Sequence, residues 1–146
     1  MPVQQGLTSA FWALGSDIQA VGWPTGGEID IVELANNGTY GGSTLHGPGG
    51  YALPVQTPVD IKTGYHTFWM HWEHNLIVTG VDNTTLAVYT PDSLSPGTPW
   101  TFNDRSMFAI LSLHVGGPYG TPDSSTVLPA SMLVDWLSYS PLAATT

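Results

Sequence analysis

Glu28, Asp30 and Glu33 fall within six residues of one another in the run Gly27-Glu28-Ile29-Asp30-Ile31-Val32-Glu33. Two carboxylic acids flanking a bond, with a third group adjusting one of them, are the equipment of glycoside hydrolysis. The residues between them, Ile29, Ile31 and Val32, are β-branched and favour a strand over a helix. Side chains alternate along a strand, so Glu28 and Asp30 share a face and Glu33 falls on the other. One extra residue, a β-bulge, would return Glu33 to the face of the other two, and bulges recur beside active sites. Three like charges on one face repel, so stability alone gives little reason to keep them. Spacing by itself leaves a second reading open, a solvated strand face with coincidental acids.

The elements around this run read as short strands. The chain has 17 Gly and 12 Pro at short intervals, and no long segment shows a 3.6-residue apolar period. Short β-rich runs separated by turn signals indicate an all-β sandwich or barrel. Strands are expected at Ser9–Leu14, Glu28–Glu33, Tyr40–His46, Tyr65–Glu73, Leu76–Val81, Thr84–Tyr89, Met107–Val115 and Ser131–Tyr139. Asp82-Asn83 reads as a hairpin turn. Gly47–Pro58, Pro91–Pro99 and Gly116–Ser125 read as loops, and no repeat, linker or second domain is apparent.

Composition narrows the partners. A chain of 146 residues, 42% hydrophobic, is enough for one packed domain that buries roughly two-thirds of its unfolded surface. Two Lys plus Arg against 11 Asp plus Glu give a net charge of −9, which repels phosphate backbones and anionic membranes. Nucleic acid and membrane are therefore not expected as partners. Six Trp and six Tyr suit a surface that stacks on uncharged, amphipathic ligands such as sugars, although Trp also fills cores. The absence of cysteine excludes disulfides, thiol nucleophiles and Cys-ligated zinc. No apolar run is long enough to span a membrane as a helix, and residues 1–10 lack the basic start and apolar stretch of a signal peptide. Taken literally, such a chain would stay in the cytosol.

Several segments carry a resemblance. Ala10-Phe11-Trp12-Ala13-Leu14-Gly15, Val21-Gly22-Trp23-Pro24 and Gly27–Glu33 are followed by Thr44-Leu45-His46-Gly47, Tyr65-His66-Thr67-Phe68 with Trp72, Leu113–Gly117 and Met132–Trp136. In this order they resemble glycoside hydrolase family 16, in its laminarinase-like (endo-β-1,3-glucanase) branch, over most of the chain. The resemblance implies a concanavalin A-like jelly-roll sandwich of two antiparallel sheets, the concave one forming a sugar cleft. The longer Glu-x-Asp-x-x-Glu motif is the family's bulged form, which agrees with the pleat argument.

Carried over residue by residue, the resemblance makes Glu28 the nucleophile and Glu33 the general acid/base, with Asp30 hydrogen-bonded to one glutamate. It implies retaining endo-hydrolysis of β-1,3 or mixed β-1,3/1,4 glucan by a secreted, monomeric parent protein. A retaining site needs carboxyl groups about 5–5.5 Å apart, one ionised and one protonated. Neighbouring acids push each other's pKa values apart, which supplies that pair. A strand advances about 3.3 Å per residue, so the ends of the motif converge only on a curved sheet. Trp12 and Trp23 match cleft-lining positions, with core filling as the other reading. His46 matches the histidine near the acid/base, where a neutral imidazole would bond sugar hydroxyls or Glu33. His66 and His74 share a strand face opposite His71, so a zinc site is not expected there. No cofactor is required. Asp135 matches a position where family members hold a structural calcium, but one carboxylate does not make a site for an ion that takes six to eight oxygens.

The departures from the family pattern also count. Phe11-Trp12 stands almost at the start, so roughly the first third of the family domain, including N-terminal strands and any signal peptide, is expected to be missing. The chain would then be the C-terminal portion of a single catalytic domain, with exposed strand edges. Ser112 stands where many laminarinases carry Asn, and His114 replaces a small residue. Thr79-Gly80 replaces aromatics before the Val81-Asp82 turn. Two other readings are a non-catalytic carbohydrate-binding sandwich, which has no use for three aligned acids, and an inactive truncated fragment.

Overall fold

The computed structural model describes residues 1–117 and 120–141, and only the backbone of Asn36. Its strands are β1 (Leu7–Gly15), β2 (Glu28–Ala35), β3 (Tyr40–Gly47), β4 (Tyr51–Gln56), β5 (Phe68–Glu73), β6 (Leu76–Val81), β7 (Thr84–Tyr89) and β8 (Met107–Val115). A one-turn helix, α1 (Ile18–Val21), joins β1 to β2. All strand pairs are antiparallel. They form a five-stranded sheet in the order β4-β3-β2-β1-β8 and a three-stranded sheet in the order β5-β6-β7. The chain is an all-β sandwich, as the turn-punctuated sequence predicts.

Two apolar clusters glue the sheets together. One joins Ala13, Ile29 and Leu45 of the larger sheet to Ile77, Ala87 and Tyr89 of the smaller, with Phe102 beneath them. The other joins Val32 and Leu34 to Ile61, Val81 and Leu86. Ile29, Val32 and Leu34 thus face the second sheet. Their neighbours Glu28, Asp30 and Glu33 stand on the opposite face of β2, as strand alternation with one interruption requires.

Three expectations are corrected. Tyr51–Gln56, read as part of a loop, is strand β4, pairing with β3 at Thr44↔Pro54. Pro54 is tolerated there because β4 is an edge strand of its sheet, where a missing N–H can face solvent. Ser131–Tyr139, read as a strand, forms none, and Leu133, Trp136, Leu137 and Tyr139 are exposed. Its apolar and β-branched composition describes a half-buried, paired surface, and among the described residues no strand pairs with it. The strand expected from Tyr65 begins at Phe68, because His66 instead bridges Asp82 Oδ2 and the Thr63 carbonyl, each at 2.8 Å.

The Asp82-Asn83 hairpin is present, with Val81 opposite Thr84 and Asp82 at φ 51°. Gly80 is required beside it, since a Cβ there would lie 2.0 Å from Cζ2 of Trp69. The expected loop Gly116–Ser125 contains no strand where it is described, and residues 118 and 119 lie outside the described set.

Candidate active site

The bulge sits where the carboxylates need it. Asp30 pairs with Trp12 of β1 and Thr44 of β3, and Glu33 pairs with Ala10 and Gly42. Between those pairs β2 spends three steps while each neighbour spends two. Both neighbouring strands therefore see one extra residue, and on β1 it is Ile31, which lies between Val32↔Phe11 and Asp30↔Trp12. The extra step returns Glu33 to the face of Glu28 and Asp30.

That face gathers partners from three other segments. His46, opposite Glu28 on β3, places Nε2 3.2 Å from Asp30 Oδ2 and 3.9 Å from Glu28 Oε1. Asp30 Oδ2 is buried, and the hydrogen bond and the charge of His46 both favour its ionised form. Trp23, in the loop before β2, donates Nε1–H to Glu28 Oε2 at 3.0 Å. Its ring lies 5.7 Å from that of His46. With 60% of its surface exposed, Trp23 does not fill the core. Trp12 lies on the same face, half-buried, and donates Nε1–H to Ser112 Oγ of β8 at 3.0 Å.

The electrostatics follow from this crowding. Burial, then the neighbouring Asp30 charge, pushes the Glu28 carboxyl up to about 7. Burial also raises Asp30. Burial pulls the His46 imidazole down, but its contact with Asp30 and the charges of Asp30, Glu28 and Glu33 outweigh this and hold it above the usual histidine value. Glu33, half-buried, is therefore within electrostatic reach of His46, and also of Tyr40. Glu28 thus titrates near neutral pH beside two other groups that are both shifted upward.

Sequence reasoning missed Tyr40 and Thr44, whose hydroxyls lie 2.7 Å apart on the face beside Asp30 and Glu33. Their signal was the period-two series Tyr40, Gly42, Thr44, His46 on one strand. Glu28, Asp30 and His46 each offer a donor atom, all within 4.8 Å, a spacing that could hold a small metal ion. Two carboxylates and an imidazole do not make the six to eight oxygens calcium takes. Asp135 is exposed and belongs to no such group among the described residues. His71 pairs loosely with Glu73 at 3.6 Å, and His66 with Asp82, so the three histidines of that region do not converge.

The profile of the glycosyl hydrolases family 16 matches residues 1–138. The chain belongs to this family. The endo-β-1,3-glucanase of Pyrococcus furiosus superposes with a TM-score of 0.75 at 35% identity, over 88% of this chain and 53% of that one. The endo-1,3-1,4-β-glycanase ExsH of Rhizobium meliloti is 28% identical over 94% of this chain and 28% of its own length. A keratan-sulfate endo-1,4-β-galactosidase of Sphingobacterium multivorum is 29% identical over 91% of this chain and 33% of its own. The family 16 chain thus spans about half of the solved enzyme and about a third of these curated relatives. Its two antiparallel sheets are those of the family's jelly roll.

Proposed function

We propose that this family 16 chain carries the catalytic strand of a retaining endo-β-glucanase acting on β-1,3 or mixed β-1,3/1,4 glucan. The observation that supports it best is the bulge at Ile31, which sets Glu28, Asp30 and Glu33 on one face beside Trp12, Trp23 and His46. Glu28 attacks the anomeric carbon while Glu33 gives its proton to the departing glycosidic oxygen. Glu33 then takes a proton from the water that releases the glycosyl-enzyme. Asp30 and His46 hold and exchange the proton that must leave Glu28 before it can attack. Trp23 steadies Oε2 of Glu28 and offers its exposed ring to a sugar face.

The substrate class follows from charge and openness. A net charge of −9 disfavours sulfated polymers and leaves neutral glucans unaffected. The carboxylates stand on the sheet face turned away from the second sheet, Asp30 buried and Glu28 and Glu33 half-buried beside the exposed Trp23, and a pocket of about 300 Å³ lined by Gly38, Gln56 and Asp60–Lys62 includes none of them. An open face of this kind takes a polymer at interior bonds. Since the chain is about half of a solved family catalytic domain, we read it as the C-terminal portion of one, within a secreted, monomeric parent that meets its polymer outside the cell.

Nuclear magnetic resonance of the first sugar released from laminarin tests this reading. The β anomer is expected from the parent protein, and none from Glu28→Gln, which still binds the polymer. An initial α anomer would rule out retention and the nucleophile role of Glu28 together.

A further inference from the structure

The Asp30 carbonyl, at the residue just before the bulge, accepts a hydrogen bond from Ser43 Oγ at 2.7 Å. Ser43 is wholly buried on β3, between Gly42 and Thr44, which pair with Glu33 and Asp30. It therefore lies opposite the extra step of β2, on the face turned toward the second sheet. Its hydroxyl has one hydrogen and two lone pairs. The hydrogen goes to Asp30. Thr79 of β6, also wholly buried, donates Oγ1–H to Ser43 Oγ at 2.9 Å. The Tyr89 hydroxyl of β7 directs its hydrogen between Ser43 Oγ at 3.3 Å and the Leu53 carbonyl of β4 at 3.1 Å. The four residues that meet here come from four strands of both sheets.

Ordinary packing does not call for this chain of hydroxyls. Ser43 and Thr79 are wholly buried on strands that also contribute Leu45 and Ile77 to an apolar core cluster, where an unpaired polar group is costly and a fully paired one is rigid.

We propose that Ser43 is a positioning residue that pins the β2 bulge, and that Thr79 and Tyr89 key it to the opposite sheet. The bulge sets where Glu28 and Asp30 stand relative to Glu33. A shift of the Asp30 backbone would carry its carboxylate away from His46 on the other face. Displacements of about 1 Å cost on the order of 10²-fold in rate when they fall on reacting groups. The role assigned to Ser43 rests on the glucanase reading for its effect on turnover, but not for its effect on geometry.

The test compares Ser43→Ala, Thr79→Val and Thr79→Ser, with Leu86→Ala as a core truncation that lowers stability without touching the hydroxyls. Two quantities are read well below each variant's melting temperature. One is kcat and KM on laminarin. The other is the titration of the His46 imidazole by nuclear magnetic resonance, which reports its distance from Asp30, Glu28 and Glu33. In Ser43→Ala and Thr79→Val, kcat is expected to fall at least tenfold with KM changed less than threefold, and the His46 titration to move to lower pH. Thr79→Ser, which keeps the hydroxyl, is expected to restore both, and Leu86→Ala to shift neither. A folded Ser43→Ala or Thr79→Val with the parent's His46 titration would overturn the proposal. If the parent protein turns over no glucan, the glucanase reading fails, and the His46 titration alone still decides what Ser43 does.

Discussion

The nucleophile role proposed for Glu28 makes two demands that pull apart. Attack requires an ionised carboxylate, while burial and the Asp30 charge hold its pKa at about 7. The free enzyme's kcat/KM reports that ionisation. Activity is therefore expected to fall as the pH drops through about 7, not through the ordinary glutamate range, and a pH–rate profile checks it. Trp23 donates a hydrogen bond that lowers this pKa. Trp23→Phe, which keeps an aromatic face but loses the donor, should move the acid limb to higher pH. The same shift has a sign in stability. A carboxyl whose folded pKa is raised binds more protons folded than unfolded, so stability declines as pH rises from about 4.5 through about 7. Glu28→Gln removes that decline and should be more stable than the parent at pH 8, by roughly 1 kcal/mol after allowance for partial exposure, with no such gain at pH 4. Thermal melts at the two pH values decide it. At Glu33, the Gln variant should lose hydrolysis of the polymer and keep much of its cleavage of an activated aryl glycoside, whose leaving group needs no proton. Equal losses on the two substrates would contradict the acid/base role.

Strand β2 shows which features a sequence discloses. The alternation of Ile29, Ile31 and Val32 with acids predicted both the strand and its bulge, and the register against β1 and β3 bears them out. The bulge also makes a prediction with two arms. Both neighbouring strands see one extra residue, so deleting Ile31 leaves a continuous ladder with Trp12↔Asp30 and Ala10↔Glu33 intact and all three acids on one face. The deletion variant should fold with a lower Tm, as loss of a fully buried Ile costs about 2–5 kcal/mol, and retain measurable glucan hydrolysis. Inserting one Ala after Ile31 either keeps the bulge and turns Glu33 toward Val81 and Leu86, or removes it and carries Glu33 two positions further along β1, and in both cases should abolish activity. Reducing-sugar assays and melts on the pair distinguish register from composition. Other elements were less legible. Edge strand β4 was hidden by Pro54, whose tolerance depends on a neighbour count that local sequence does not carry. The apolar 131–139 segment has a strand's composition without a partner, and pairing is a property of two segments. Of the site, the acids, Trp23 and His46 were readable from motif and spacing. Ser43, Thr79 and Tyr40 were not, because their meaning arises only where strands distant in sequence meet.

At the scale of the whole molecule, the two faces of the larger sheet divide the work. One is glued to the smaller sheet by Ile29, Val32 and Leu34, and the other gathers the carboxylates, buried or half-buried, beside the exposed indole of Trp23. The rest of the surface is acidic, with 11 Asp plus Glu against two Lys plus Arg. On the glucanase reading, that field is expected to distinguish polymers the sheet face alone would treat alike, since a neutral glucan feels no monopole and an anionic polysaccharide is repelled on approach. At an ionic strength of about 0.01 M the screening length is about 30 Å, longer than the site, whereas at 1 M it is about 3 Å. KM for laminarin is therefore expected to stay constant across that range. A carboxymethylated laminarin of the same length should bind weakly at low salt and approach the neutral polymer's KM as salt rises. The pair of salt titrations separates charge from stacking, because salt screens the first and leaves the contact of Trp12 and Trp23 with sugar faces in place. An anionic polymer that binds best at low salt would mean that cations outside the described face recognise it, and that the acidic surface does not set substrate choice.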